Sequence, residues 1–189
     1  SSLIICISKS QCATFALALS RMFPPNPQTA GLRETCVEKL YEAAEGEPNI
    51  DLVTCARAGL AWHHAGLTAA EKKVIEEGFR NGAILAMTCT TTLAAGVNLP
   101  ARRCVILRGS IRGVPTPSMA QYKQMAGRAG RKGQSDFGES FLLISNRQHT
   151  TWAQNLVCGE LPPLESRLFP PMKNPKVSTS QCRFYLESI

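Results

Sequence analysis

The strongest chemical pattern in this sequence of 189 residues is the run Gln121-Tyr-Lys-Gln-Met-Ala-Gly-Arg-Ala-Gly-Arg131. If the run is helical, two amides and two guanidinium groups share one face. They belong to Gln121, Gln124, Arg128 and Arg131. Arginine forks bind phosphate oxygens in pairs, and an arginine at a γ-phosphate neutralises charge during phosphoryl transfer. The alternative is a solvated face beside a glycine-rich helix end, which two Gly-Arg steps on their own favour.

Three further segments carry groups that suit a polyanion. Residues 88–100 are rich in Thr and follow a predicted strand, where hydroxyls and backbone N–H groups bind phosphates without reading bases. The adjacent His63 and His64 diverge and lack a third ligand, so we expect a hydrogen-bonded loop histidine and no metal site. Ser8-Lys9-Ser10 begins a predicted helix, which favours an anion. A Thr-rich loop and a plain Ser N-cap are the alternative interpretations of the first and the last of these segments.

Two common motifs are missing from the sequence. It contains no Gly-x-x-x-x-Gly-Lys-Ser/Thr loop and no Asp-Glu pair after an apolar strand. We therefore expect that the chain alone cannot hold Mg²⁺ and the β- and γ-phosphates of a nucleotide. The eight cysteines form no Cys-x-x-Cys pair, and Cys6, Cys89 and Cys104 fall in apolar runs. This usage predicts reduced thiols in an intracellular protein.

The net charge of +7 is unevenly distributed along the sequence. No acidic residue lies between Glu77 and Asp136, whereas nine basic residues do. These are Arg80, Arg102, Arg103, Arg108, Arg112, Lys123, Arg128, Arg131 and Lys132. Such a bias suits nucleic acid or nucleotide phosphates. The alternative is that the cations scatter over the folded surface and only keep the protein in solution.

Hydrophobic patterning predicts the elements that must position these groups. Short apolar runs indicate strands at residues 3–7, 83–87, 103–107 and 140–144. Amphipathic runs indicate helices at 11–22, 32–44, 68–79 and 118–127. We expect Ser10 to cap the first helix and a capping box of Thr68 and Glu71 to begin the third. The alternation predicts an α/β fold in which helices cover both faces of a parallel sheet.

The ends of the sequence differ in character. Residues 1–7 enter a strand pattern with no initiator Met, signal peptide or basic leader, so we expect an excerpt from a longer protein. From about Thr150 the alternation ends and prolines punctuate an irregular tail, which predicts a domain at 1–149 and an extension at 150–189. No apolar run approaches the roughly 20 residues that span a bilayer, so we expect no membrane partner.

In this order, the four segments resemble the motifs of the second RecA-like domain of superfamily 2 helicases. Residues 8–10 are similar to motif IV and residues 63–67 to the motif that follows it. Thr-Thr-Thr-Leu-Ala-Ala-Gly-Val-Asn-Leu-Pro-Ala-Arg-Arg (90–103) is similar to motif V, and Gln-Met-Ala-Gly-Arg-Ala-Gly-Arg (124–131) to motif VI. The resemblance covers residues 3–146. It implies a RecA-like sheet with helices on both faces, followed by an extension towards a winged-helix region.

Three stretches, 6–12, 121–125 and 130–133 followed by 138–140, resemble the DNA-directed branch of the Ski-like group, which includes helicase Q and the helicase portion of DNA polymerase theta. Two positions differ from the usual pattern of motif IV. Ile7 stands where members usually have Pro, and Ser10 stands where they have a second basic residue.

The resemblance implies a role for each candidate residue. Arg128 and Arg131 are implied as arginine fingers that reach ATP on a first RecA-like domain, with Gln124 orienting that contact. The resemblance implies that Gly96 and Asn98 lie at the nucleotide cleft. Five residues are implied to grip the backbone of the tracking strand: Ser8, Lys9, His64, Thr90 and Thr92.

The implied function is the C-terminal motor half of an ATP-dependent 3′-to-5′ DNA helicase in nuclear DNA repair. Its implied partners are single-stranded or forked DNA and the first RecA-like domain of the same protein, which would hold most of the ATP and Mg²⁺. The chain alone, without Walker A and B motifs, is expected to be inactive. The alternatives are an RNA helicase of the same group and a non-enzymatic nucleic-acid-binding module.

Overall fold

The computed structural model of the chain describes residues 1–23, 26–91, 99, 101–109, 117–130, 137–144 and 149–159. Within them, five parallel strands form one sheet in the order β2-β3-β1-β4-β5. The strands are β1 (Ser2–Cys6), β2 (Leu60–His63), β3 (Ala86–Thr90), β4 (Arg103–Gly109) and β5 (Glu139–Ile144). This parallel α/β sheet confirms the predicted RecA-like fold class.

Six α-helices accompany the strands in the described part of the chain. They are α1 (Lys9–Ser20), α2 (Ala30–Ala43), α3 (Ile50–Arg57), α4 (Ala69–Asn81), α5 (Met119–Ala126) and α6 (Thr150–Cys158). A short 3-10 helix (Pro27–Thr29) leads into α2. The capping box predicted at the start of α4 is present, because Thr68 and Glu71 each bond the backbone N–H of the other.

Helices cover both faces of the sheet. On one face, the hydroxyl of Thr88 in β3 donates to the carbonyl of Cys12 in α1, over 2.9 Å. On the other, the thiol of Cys104 in β4 donates to the carbonyl of Met125 in α5, over 3.2 Å. Because side chains alternate along a strand, these two contacts fix which residues of every strand face each helix. The central strands are buried on both faces, as their continuous apolar sequences predict.

Three boundary predictions are wrong for identifiable reasons. Ser8, and not Ser10, caps α1, because its hydroxyl accepts the backbone N–H of Gln11. The strand predicted at 83–87 is Ala86–Thr90. It begins later than predicted because residue 84 still belongs to the end of α4, where the Ile84 N–H donates a hydrogen bond to the Gly78 carbonyl. It ends late because threonine suits a strand, so Thr90 lies in β3 and not in the loop.

Three elements are missing from the sequence prediction. Strand β2 has four residues and helix α3 has eight, which is too short for a hydrophobic period to identify. Helix α6 begins at Thr150, where the sequence analysis expects an irregular extension. Its Leu156 is buried, and Lys123 of α5 donates to the carbonyl of Val157. Ser1–Gly159 forms one compact unit. The remainder of the predicted extension lies outside the described residues.

Candidate nucleotide and nucleic-acid interface

Four candidate residues meet where β2, β3 and β1 end side by side. The sheet register pairs His63 with Cys89 and Cys6 with Thr90. Ser8, Lys9 and His64 come directly after these strand ends, and Thr90 is the last residue of β3. We call Ser8, Lys9, His64 and Thr90 the edge group. The carboxyl edge of a parallel sheet is where open α/β folds bind ligands, so the edge group is placed to bind one.

The start of α1 presents a hydroxyl and an ammonium group to solvent. Ser8 is exposed while its Oγ accepts from the Gln11 N–H at 3.1 Å and lies 3.1 Å from the Ser10 hydroxyl. The carboxamide of Gln11 in turn accepts the Ile7 N–H, which fixes the turn between β1 and α1. Lys9, the first residue of the helix, is exposed. Ser8 is therefore an N-cap, and the positive end of the helix still adds to the Lys9 charge.

His63 is a buried structural residue. Its Nε2 lies 2.9 Å from a carboxylate oxygen of Glu76 in α4, and its buried Nδ1 has no hydrogen-bond partner among the described residues. Burial lowers the pKa of His63, and the bond to Glu76 opposes that effect only in part. A second proton would have to sit on Nδ1 with nothing to accept its hydrogen bond. The ring is therefore neutral, with its proton on Nε2 and donated to Glu76.

His64 confirms the prediction of a hydrogen-bonded loop histidine. Its Nδ1 accepts the Gly66 N–H at 3.0 Å, so the proton of the neutral ring is on Nε2. A Cβ on Gly66 would lie 2.8 Å from the His64 ring, so a larger residue at this position would have to displace the ring. Burial lowers the pKa of His64, and the charges of Lys9 and Lys72 lower it further. His64 thus offers a neutral N–H donor among cations.

Lys72 is a residue near the edge group that the sequence prediction missed. It lies in the first half of α4, and its charge lowers the pKa of both His63 and His64. The capping box holds a signal that could have identified it. Because Thr68 fixes the helix start, Lys72 falls one turn into α4, close to the histidine loop.

The motif VI segment does not form the continuous helix face considered above. Helix α5 ends at Ala126 with Gly127 as its cap. The Ala101 N–H then donates to the Arg128 carbonyl at 3.0 Å, and the Gly130 N–H donates to the Ala101 carbonyl at 2.8 Å. Together these bonds form an isolated bridge between Ala101 and Ala129. The glycines therefore end the helix, and Gly130 supplies the φ of +104° that the bridge requires.

Because the helix ends at Ala126, the four polar side chains of the run 121–131 do not share one helix face. The Gln121 carboxamide accepts the Ser118 N–H in a capping box, so it does not belong to a phosphate-binding row. Gln124 is exposed on α5. Arg128 is half-buried beyond the helix end. Arg131, together with Gly96, Asn98 and Thr92, lies outside the described residues.

Arg128 lies over the sheet face that α5 covers. Burial raises the pKa of the Cys89 and Cys104 thiols, that of Cys104 to about 11, and the charge of Arg128 opposes the rise in both. Both cysteines are wholly buried. The guanidinium therefore lies near Cys89 of β3 and Cys104 of β4.

Among the described residues of the acid-free span, two cations form ion pairs with carboxylates. Arg80 lies 3.4 Å from Glu76 within α4, and Arg103 lies 2.6 Å from Glu139 across β4 and β5. The Arg103 guanidinium lowers the pKa of Glu139. Such exposed pairs add little to stability. Two of the nine cations are thus paired with acids, as the scattering interpretation expects.

No group of three or more His, Cys, Asp or Glu side chains in the described ranges is arranged to hold a metal ion. None of the described helices is both long enough and apolar enough to cross a membrane.

Comparison with known proteins gives a consistent family. Residues 42–133 match the family model described as the helicase conserved C-terminal domain. The chain is 37% identical over 182 residues, 95% of its length, to "Helicase POLQ-like" of Drosophila melanogaster. It is 39% identical over 149 residues (78% of the chain) to the human protein of that name. It is 44% identical over 131 residues (62% of the chain) to "ATP-dependent DNA helicase Hel308" of Aeropyrum pernix.

The chain spans only a small part of each relative. It covers 16% of the Drosophila protein, 13% of the human protein and 17% of the Aeropyrum protein.

The neutral state of His63 predicts a pH-dependent stability. Because its pKa is lower in the folded state, the unfolded chain binds more protons below about pH 6.5, so the free energy of unfolding falls as the pH falls there. Gln in place of His63 keeps a donor for Glu76 and cannot be protonated. The free energy of unfolding of the wild type and of His63→Gln can be measured by urea denaturation at pH 7.5 and 5.5. Between these pH values it should fall less in the variant than in the wild type. Equal losses in the two proteins would contradict the assignment.

Proposed function

Because this chain belongs to the Ski-like superfamily 2 helicases, as a helicase C-terminal domain related to the POLQ-like and Hel308 proteins, we propose that it is half of a DNA-unwinding motor. The full protein is an ATP-dependent 3′-to-5′ DNA helicase that acts in nuclear DNA repair. In it, residues 1–149 are the second RecA-like domain, and residues 150–189 lead towards a winged-helix region. The observation that carries this proposal is the match of residues 42–133 to the helicase conserved C-terminal domain.

The edge group grips the sugar–phosphate backbone of single-stranded DNA. Ser8 and Lys9 are exposed, and the Nε2–H of the neutral His64 ring completes a set of hydroxyl, ammonium and imidazole donors. None of these groups reads a base edge, so the grip is independent of sequence, as translocation requires. Thr92 belongs to the same contact by its place in motif V.

Arg128 serves the nucleotide. Its guanidinium fork and the exposed Gln124 carboxamide are donors that suit phosphate oxygens, so the residues present fit a triphosphate. Arg131 is the second finger, and Gly96 and Asn98 line the cleft. The chain lacks a Walker loop, so ATP and Mg²⁺ are held mainly by the first RecA-like domain of the same protein. ATP supplies the free energy of hydrolysis that drives the cycle.

The bridge between Ala101 and Ala129 links the grip on DNA to the contact with the nucleotide. Residue 101 lies within motif V, and residue 129 lies within motif VI. When the two RecA-like domains close, Arg128 neutralises charge that develops on the γ-phosphate. A movement of Arg128 in that step is passed through the bridge to the motif V segment. Alternation of the grip then moves the strand.

Removing the Arg128 guanidinium should abolish hydrolysis and spare DNA binding. In the full-length protein, Arg128→Ala is expected to lower the kcat of DNA-stimulated ATP hydrolysis by about 10³-fold, the usual contribution of an arginine finger. The Kd for single-stranded DNA, measured by fluorescence anisotropy, should change less than about twofold.

Arg21→Ala is the matched control for Arg128→Ala. Arg21 is exposed and caps the far end of α1, on the edge of the sheet opposite the edge group. It should leave both kcat and Kd unchanged. A loss of DNA affinity in Arg128→Ala with normal ATPase would instead support a non-enzymatic binding module. Tighter binding of RNA than of DNA by the wild type would favour an RNA helicase.

Lys72 should contribute one ionic contact to the strand. Because each neutralised phosphate of a single strand adds about 0.7 to the slope of log K against log salt concentration, Lys72→Ala should reduce that slope by about 0.7. The measurement is a salt titration of single-stranded DNA binding by the full-length protein.

Lys73→Ala is the control at the next position of α4. Lys73 is exposed and acts on Glu77, whose pKa is lowered first by a hydrogen bond from Lys39 and also by the charge of Lys73. Its removal should leave the slope unchanged. Equal slopes for the two variants would show that Lys72 does not touch the strand.

A further inference from the structure

Helix α4 holds both ends of the loop of residues 64–67, which carries His64. At one end, the Nε2 of His63, the last residue of β2, lies 2.9 Å from the Oε1 atom of Glu76 in α4. At the other end, the Thr68 hydroxyl caps the first turn of the same helix. The loop therefore has a fixed attachment on each side. His64 belongs to the edge group, whereas Glu76 has no part in the helicase cycle proposed above.

The contact between His63 and Glu76 lies largely away from water. The His63 side chain is 6% exposed and that of Glu76 is 18% exposed. The neutral ring donates its Nε2–H to a carboxylate, and hydrogen bonds to a charged acceptor are stronger than those between neutral groups. Arg80, one turn further along α4, lies 3.4 Å from the other carboxylate oxygen and helps to orient it. Glu76 therefore ties the end of β2 firmly to the helix.

Loss of the Glu76 carboxylate would leave the His63 ring without a hydrogen bond. Its Nδ1 already has no partner among the described residues, so neither nitrogen of the buried ring would then be satisfied. A buried donor without an acceptor is costly, so we expect the ring to turn towards water and the end of β2 to move with it. His64 is the next residue, so its backbone would move as well.

A movement of the His64 backbone would disturb the hydrogen bonds of the loop. The His64 carbonyl accepts the Leu67 N–H at 3.2 Å, and the Nδ1 of its ring accepts the Gly66 N–H at 3.0 Å. The second bond fixes both the orientation of the ring and the position of its proton on Nε2. Leu67 is buried and Thr68 caps α4, so the far end of the loop cannot follow the near end. The orientation of the His64 ring therefore depends on Glu76.

We propose that Glu76 is a positioning residue for the grip on single-stranded DNA, which acts through His63 to aim the Nε2–H of His64 at a phosphate. This role rests on the DNA-binding function proposed for the edge group, and it adds a residue that does not itself touch the strand. Both carboxylate oxygens are already engaged, one by His63 and the other by Arg80. The carboxylate is thus occupied within the protein and is not presented to the DNA.

Removing the carboxylate should weaken DNA binding and spare hydrolysis. In the full-length protein, Glu76→Ala is expected to raise the Kd for single-stranded DNA by about threefold to tenfold, the usual effect of losing one hydrogen bond. The kcat of ATP hydrolysis at saturating DNA should change less than about twofold, because His64 binds the strand and takes no part in the reaction at the phosphate. Fluorescence anisotropy and a DNA titration of the ATPase measure the two quantities.

Two variants of α4 distinguish positioning from a general loss of structure. Glu76→Gln keeps an oxygen that accepts from His63 and should bind DNA as the wild type does. Glu77→Ala is the matched control, because Glu77 accepts a 2.8 Å hydrogen bond from Lys39 of α2 at the next position of the same helix. It removes an ion pair from α4 and should leave the Kd unchanged. Equal increases in Kd for Glu76→Ala and Glu77→Ala would show that Glu76 has only a structural role.

A double-mutant cycle shows whether Glu76 acts through His64. If it does, Glu76→Ala should have little further effect on the Kd of a protein that already carries His64→Ala. Independent effects, in which the two fold-changes multiply, would overturn the positioning role. So would a His64→Ala variant that binds DNA more weakly while Glu76→Ala binds normally. If His64→Ala itself left the Kd unchanged, the DNA-binding function proposed for His64 would be wrong instead.

Hydrogen exchange tests the effect on the loop in the absence of DNA. In the full-length protein, the backbone amides of residues 64–67 should exchange faster in Glu76→Ala than in the wild type, Glu76→Gln or Glu77→Ala. Mass spectrometry of the labelled peptides measures the rates, and circular dichroism checks that each variant folds. If Glu76→Ala does not fold, Glu76→Asp replaces it, because its shorter side chain draws the carboxylate back from His63. Unchanged exchange in residues 64–67 would overturn the proposal, whatever the effect on DNA binding.

Discussion

The backbone bridge between Ala101 and Ala129 is the constraint on which the arrangement of charges in this domain depends. Its two hydrogen bonds join a segment before β4 to the segment after α5. Because Ala129 must pair with Ala101, the chain leaves the helix at Ala126, and Arg128 lies over the sheet with Cys89 and Cys104 below it. Each bond contributes only about 1 kcal/mol, but the wholly buried Ala101 holds the geometry in place.

The edge group depends on a different constraint, the register of three parallel strands. The pairs His63 with Cys89 and Cys6 with Thr90 bring three strand ends level, so the residues that follow are neighbours despite large separations in sequence. Neutral histidines let this group hold Lys9 and Lys72 close together without adding further positive charge. A surface of hydroxyl, ammonium and imidazole donors on rigid strand ends suits repeated binding and release of a phosphate backbone.

Local patterns predicted much of the fold and part of the site. The capping box of Thr68 and Glu71, the apolar strands and the helix start at Ser118 depend on neighbouring residues, and the structure confirms them. The end of α5 could not be predicted in the same way, because it is set by a bond to Ala101, far away in sequence. For the same reason, periodicity found neither the short strand β2 nor the approach of Lys72 to the histidines.

The central claim is that Arg128 serves the nucleotide while the edge group serves the strand. The most direct measurement is a structure of the full-length protein with single-stranded DNA and a non-hydrolysable ATP analogue. An Arg128 guanidinium nitrogen should lie within hydrogen-bond distance of a γ-phosphate oxygen, about 3 Å, and Lys9 and His64 should contact DNA phosphates. An Arg128 bound to a DNA phosphate, or edge-group residues that do not contact the strand, would contradict it.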